Sequence, residues 1–290
     1  MKDTFFAWLR RSYIFIVIAI IYIPLIIVVF LSFTQPSSKG NINVNFDFND
    51  GQNWIHLFKN SDFLNALANT AIILAFVVPI STIIATMTAF GIWNAKQVYV
   101  NTVLGSSKVN MVIPDIITGI SLALLFSVTV IPMGVNLGFA TIILAHISFC
   151  TPYALIIIYP RMQKMKKSLI SASLDLGYSK IKTFFKVTIP FLLPAILSGA
   201  AIVFGMSFDD FIITKLVGGK INTISTEMYS MAKGIKAWAV TFGAIIVLVT
   251  FAVAFIIATK KFVTEKSKNK AKSNKKFIDK TKVLMNNKRL

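Results

Sequence analysis

The chain has little of what catalysis or disulfide stapling requires. It holds one cysteine, Cys150, and two histidines, His56 and His146, in 290 residues. A single thiol inside an apolar run excludes a disulfide framework, and two lone histidines exclude a Cys/His metal cluster. There is no Gly-x-x-x-x-Gly-Lys-Ser/Thr segment to cradle a nucleotide phosphate, so ATP and Mg are expected on another subunit and no cofactor on this one. Carboxylates are scarce too, 11 Asp and Glu against 30 Lys and Arg, for a formal net charge of +19. No Ser/His/Asp or paired His/Glu set can be assembled, so the chain reads as a non-enzyme. The basic excess suggests nucleic acid, but it sits between apolar runs and at the C-terminus rather than on one soluble domain, and no nucleic-acid partner is expected.

What is abundant is apolar surface: 56% of residues are hydrophobic and the mean hydropathy is +0.73. A soluble domain of this length cannot hide so much, and a lipid bilayer is the partner that can solvate it. Six segments, each of about 20 residues, are apolar enough to cross: Ser12–Thr34, Ala66–Trp93, Val109–Ile131, Leu137–Tyr159, Pro190–Phe208 and Ala237–Thr259. In hydrocarbon every backbone polar group must be paired internally, so these are helices, with Pro24, Pro79 and Pro114 tolerated as kinks or entry turns. The first is longer than a signal-peptide core and lacks a small-residue cleavage site, so it reads as a retained span. The expected class is an all-α membrane protein with six transmembrane helices.

Basic residues orient it. Lys2, Arg10, Arg11, Lys96, Lys108, the cluster from Arg161 to Lys186 and the tail from Lys260 fall on one side; only Lys39, Lys59, Lys215, Lys220, Lys233 and Lys236 fall on the other. The positive-inside rule puts both termini in the cytoplasm of a bacterial cell, in its inner membrane. Residues 1–11 are then a cytoplasmic N-terminus, 12–261 a six-helix transmembrane domain, and 262–290 a basic Lys/Asn/Ser-rich cytoplasmic tail that reads as disordered. Residues 35–62, with Asp47, Asp50 and Asp62, read as a polar external loop.

The stretch 161–190 is not an ordinary linker. Leu169, Ala172, Ser173 and Leu176 recur at helical spacing, Gly177 stands where a helix would stop, and Ser179 can cap a second short helix carrying Ile181, Phe184 and Phe185. Pro190 then opens the fifth span, where a missing N–H costs nothing. Two short helices broken by glycine present an apolar knob ringed by Lys166, Lys167, Lys180, Lys182 and Lys186, suited to insertion in a partner's groove.

This stretch resembles the cytoplasmic loop of ABC importer permeases, which runs Glu-Ala-Ala, three residues, Gly, nine residues, aliphatic-x-aliphatic-Pro. Here it is Ser171-Ala172-Ser173, Gly177, Val187, Ile189-Pro190 at the same spacing, with Ser171 in place of the usual Glu. Tyr22-Ile23-Pro24, Pro114-Asp115-Ile116, His146 to Pro152, Asp175-Leu176-Gly177, Ser207 to Asp210 and Met228 to Met231 are similar to the second permease subunit of spermidine/putrescine importers, up to about Lys261. The resemblance implies a type I importer permease fold, a second permease subunit, two ATPase subunits and an extracytoplasmic polyamine-binding protein. It implies ATPase coupling through Leu169, Ala172, Leu176, Gly177, Ile181, Phe184, Phe185 and Pro190.

A polyamine crossing a low-dielectric region needs carboxylates and aromatic faces that offset its desolvation in stages. Intramembrane acids are the first candidates. Asp209 and Asp210 close the fifth span beside Phe208; their one-residue offset makes one of them the path residue, and Lys215 lies near enough to pair with either. Asp115, after Pro114, fits a helix N-terminal partner or a gate contact. His146 reads as a hydrogen-bonded interhelical residue, and Met228, Tyr229 and Trp238 as vestibule or interfacial residues. The rival readings are an importer permease for another solute, a secondary carrier, which would show paired repeats, and a membrane enzyme, which would show clustered His, Asp, Glu or Cys.

Overall fold

The computed structural model describes residues 2–37, 40–42, 51–231 and 234–287, and within its helices it leaves out the side chains of 2–12, 14, 52, 263–264 and 266–287. Lys39, Asp47, Asp50, Lys233, Lys288 and Arg289 lie outside the described residues. Among those described the secondary structure is helical, with only two isolated bridges, Pro36 with Ile42 and Asn41 with Lys236. The chain divides into two units, Met1–Leu57 with Gly234–Leu290, and Phe58–Lys233.

In the first unit α1 (Lys2–Leu31) and α2 (Gln52–Leu57) pack on α12 (Ala237–Asn287). Tyr22 meets Phe251 at 5.4 Å between ring centroids. The buried Asn53 amide donates to the carbonyls of Ser32 and Thr34, the end of α1, so the chain leaving that helix keeps its acceptors satisfied. The segment 35–62, expected as a loop, therefore contains a short helix. The tail also differs from expectation. Its backbone continues α12 to Asn287, because Lys, Ala and Glu are good helix formers even where there is no apolar face to bury.

The second unit is built on α3 (Ser61–Trp93), α6 (Phe139–Gln163) and α9 (Ile189–Asp209). Ile73, Val77 and Ala85 of α3, Ile142, Ala145 and Ile158 of α6, and Leu192 and Val203 of α9 form its core. Small residues let these helices approach closely: a Cβ on Gly199 would lie 3.2 Å from Ile158 Cδ1. Three threonine hydroxyls on α3 bond back to their own helix, Thr70 to Ala66, Thr82 to Val78 and Thr86 to Thr82, so these three are satisfied without water.

Among the described residues four helices are long and apolar enough to cross a membrane: Ser61–Trp93, Phe139–Gln163, Lys180–Asp209 and Ala237–Phe262. The third expected span, Val109–Ile131, is not one straight helix. It is α4 (Gln97–Val112) and α5 (Asp115–Thr129), bent by 106°. Ile113 is extended, φ −67° and ψ 128°, as a residue before proline prefers, and Pro114 has no N–H to carry the helix across. Counted as one span the pair makes five. The apolar part of α1, Phe15–Leu31, lies at the short end of what crosses. Many large apolar side chains on these helices are exposed, among them Ile20, Phe76, Leu124 and Leu197, as lipid-facing surfaces require.

Candidate functional site: an acidic cavity and a basic corner

Beyond α6 the chain forms α7 (Lys167–Asp175) and α8 (Lys180–Thr183), a π turn (Phe184–Thr188), then α9. The corner between α7 and α8 is a Schellman motif: Gly177 N donates to Leu174 O (2.9 Å) and Tyr178 N to Ser173 O (3.1 Å), with Gly177 at φ +84°. Ser179 accepts from Lys182 N and caps α8. Ser173 and Thr183 share a buried hydrogen bond of 2.9 Å that ties the two helices together. Ser173 thus points inward, away from the exposed Leu169, Ala172 and Leu176 with which its spacing groups it; Ile181 and Phe185 of the second short segment are exposed as well. Leu176 is 82% exposed and Ile181 74%, the knob expected from their spacing, with Lys166, Lys167, Lys180, Lys182 and Lys186 exposed around it.

Two details differ from the sequence reading. Pro190 does not open a separate span: α8, the π turn and α9 run on as one helix, Lys180–Asp209. The π turn is where the proline is absorbed, since Ile189 N bonds five residues back to Phe184 O and widens the helix where the Pro190 ring would meet the carbonyl of Lys186. Phe184 is half-buried, edge-on to Phe90 of α3 at 4.9 Å, so it anchors the corner instead of joining the free surface. With Met87, Asn94, Ile170 and Leu174 it lines an apolar groove of about 460 Å³.

A second cavity, about 360 Å³, brings Asp115, Asp209 and Asp210 together. Asp115 is the first residue of α5, and the break at Pro114 aims that helix start at the cavity; no side-chain capping bond forms there. Asp209 ends α9 and is exposed. Asp210 follows it, extended at φ −64° and ψ 123°, before α10 (Ile212–Val217). Its carboxylate accepts from Ile213 N (3.2 Å), Thr214 N (2.8 Å) and Thr214 Oγ1 (2.8 Å), and lies 3.2 Å from His146 Nε2. His146 is therefore the side chain that partners Asp210 from another helix, and Lys215, exposed on α10, pairs with neither carboxylate.

Phe208 lies elsewhere. It stacks on Phe204 at 5.9 Å and lines a groove against Thr70, Ala75 and Pro79 of α3. The aromatic rings of the acidic cavity are Phe149 of α6 and Phe211, and Phe211 stacks on Tyr229 of α11 (Ile224–Ser230) at 4.2 Å. Trp238 is buried. Phe149 was missed because it is one of many aromatics on apolar helices; only its position three residues after His146 hinted at the same wall.

Residues 104–260 match the family model described as "Binding-protein-dependent transport system inner membrane component". The chain belongs to this family. A spermidine/putrescine transport system permease protein PotC homolog of Mycoplasma pneumoniae is 47% identical over 266 residues, covering 90% of this chain and 93% of that one. The PotC homolog of Mycoplasma genitalium is 44% identical over 273 residues, 92% and 96% of the two chains. PotC of Escherichia coli K12 is 30% identical over 262 residues, covering 90% and 96%. A solved bacterial ABC transporter involved in import of the acidic polysaccharide alginate shares the fold, with TM-score 0.65 at 15% identity over 90% of this chain and 97% of that one. This permease is therefore a multi-pass membrane transport subunit with the all-α fold of ABC importer permeases. Its family match contains both the acidic cavity and the Gly177 corner.

Proposed function

We propose that the chain is a non-catalytic permease subunit of an ATP-driven polyamine importer, and that the cavity of Asp115, Asp209 and Asp210 is part of its translocation path. The observation that carries this is the convergence of three carboxylates and two aromatic rings, from α5, α6 and the α9–α10 connection, on one membrane-embedded cavity. Carboxylates that face a low-dielectric cavity are costly without a cationic guest, and a polyammonium chain supplies that charge while its methylene segments lie on Phe149 and Phe211. A volume of about 360 Å³ suits part of a small ligand rather than a polymer.

Six spans, with both termini in the cytoplasm, place the Gly177 corner on the cytoplasmic side. There Leu169, Ala172, Leu176, Ile181 and Phe185 offer an exposed apolar surface to an ATPase subunit that carries ATP and Mg. A second permease subunit, two ATPase subunits and an extracytoplasmic polyamine-binding protein complete the assembly. Closure of the ATPases moves the corner, and since α8 and α9 are one helix, the motion reaches Asp209 at the far end of α9 directly. The test is ATP hydrolysis by the assembled complex with its binding protein, offered putrescine, spermidine and unrelated solutes in turn. Stimulation by polyamines is expected. Stimulation only by another solute would end the substrate assignment and leave the architecture standing.

A further inference from the structure

We propose that His146 is a positioning residue that withholds Asp210 from the substrate, so that Asp209 alone of the adjacent pair is offered to a cation in the cavity. This rests on the translocation-path reading above. His146 is 1% exposed, sits on α6, and cannot itself touch a solute in this conformation. Both of its ring nitrogens are engaged: Nδ1 lies 2.7 Å from Ser207 Oγ on α9, and Nε2 lies 3.0 Å from Thr214 Oγ1 on α10 and 3.2 Å from Asp210 Oδ2.

The donor inventory orders the network. A carboxylate only accepts, and the Thr214 hydroxyl spends its proton on Asp210 Oδ2, so Nε2 carries the proton that faces them both. Nδ1 is then the acceptor for the Ser207 hydroxyl. Asp210 thereby receives two backbone N–H donors, one hydroxyl and one imidazole N–H, with its side chain 6% exposed. A carboxylate so saturated has little left to offer an ammonium group, and drawing it away would leave the buried N–H groups of Ile213 and Thr214 without their acceptor. No hydrogen bond or ion pair among the described residues engages the carboxylate of Asp209, one residue earlier and exposed to the same cavity. His146 is thus what makes two neighbouring acids unequal. It also joins α6, α9 and α10, so the α9–α10 corner that carries Asp209 is held by the same clamp.

The decisive measurement is equilibrium binding of labelled spermidine to the purified importer complex, with Asp209→Asn made in the native background and in His146→Leu. In the native background the substitution should raise Kd about ten-fold, the loss of one charge-assisted contact. With His146→Leu the released Asp210 substitutes for Asp209, and the same change should raise Kd less than about three-fold. His146→Gln, which keeps a side-chain N–H, should restore the native response. An equal effect of Asp209→Asn in both backgrounds would refute the role of His146 and leave the path intact. No effect in the native background would instead refute the path. Should His146→Leu not assemble, Thr214→Val removes one clamp donor without altering the ring, and it must likewise shrink the effect of Asp209→Asn.

Discussion

Substituting Gly177 tests the corner most directly. The residue sits at φ +84°, where an L side chain meets its own backbone, yet a Cβ built there meets nothing else within 4 Å. The cost is therefore purely local and open to calculation. A left-handed non-glycine residue loses about 1–2 kcal/mol, which biases the corner against its native turn by about 5- to 30-fold. The Schellman bonds from Gly177 and Tyr178 would open first, and Leu176 and Ile181, the most exposed apolar residues of the two short helices, would no longer share one surface. Asparagine tolerates this conformation, alanine less and a β-branched residue least, so transport per ATP hydrolysed should fall in the order Asn, Ala, Val while the amount of permease in the membrane stays constant. Gly91 of α3 is the control: it is helical and a Cβ there also meets nothing, so Gly91→Ala should be neutral or stabilising. Native coupling in a Gly177→Val complex would show that the left-handed turn is not what aligns the docking surface.

Two further outcomes test the neighbouring contacts. Leu176→Asp and Ile181→Asp alter residues with little intramolecular packing, so the permease should insert normally while co-purification of the ATPase weakens about 30-fold or more, as expected for an apolar anchor at the centre of an interface; unchanged co-purification would place docking elsewhere. Ser173→Ala leaves the buried Thr183 hydroxyl without its partner, a local loss of about 1–3 kcal/mol that hydrogen exchange over 167–188 should register as faster opening. Thr183→Val added to it should cost less than the two single changes together, because the same bond is lost in each.

Much of this permease is legible before folding. Long apolar runs force helices on the chain because lipid offers no partner for the backbone, and the glycine of the α7–α8 corner is announced by its type and by the helical spacing before it. The carboxylates of the cavity stood out because acids near apolar runs are rare. Several things were not decided there. Apolar composition is blind to direction, so Val109–Ile131 looks continuous although Pro114 turns it by 106°. Periodicity places Ser173 beside Leu169 and Ala172, while the hydrogen bond to Thr183 turns it inward. Adjacency in the chain makes Asp209 and Asp210 look equivalent and puts Phe208 with them. Their fates diverge because His146, more than 60 residues away, reaches only Asp210, and because Phe208 faces α3 rather than the cavity. Local chemistry is written residue by residue, but which donor satisfies which acceptor depends on helices meeting in space, and that is settled only when α5, α6, α9 and α10 converge.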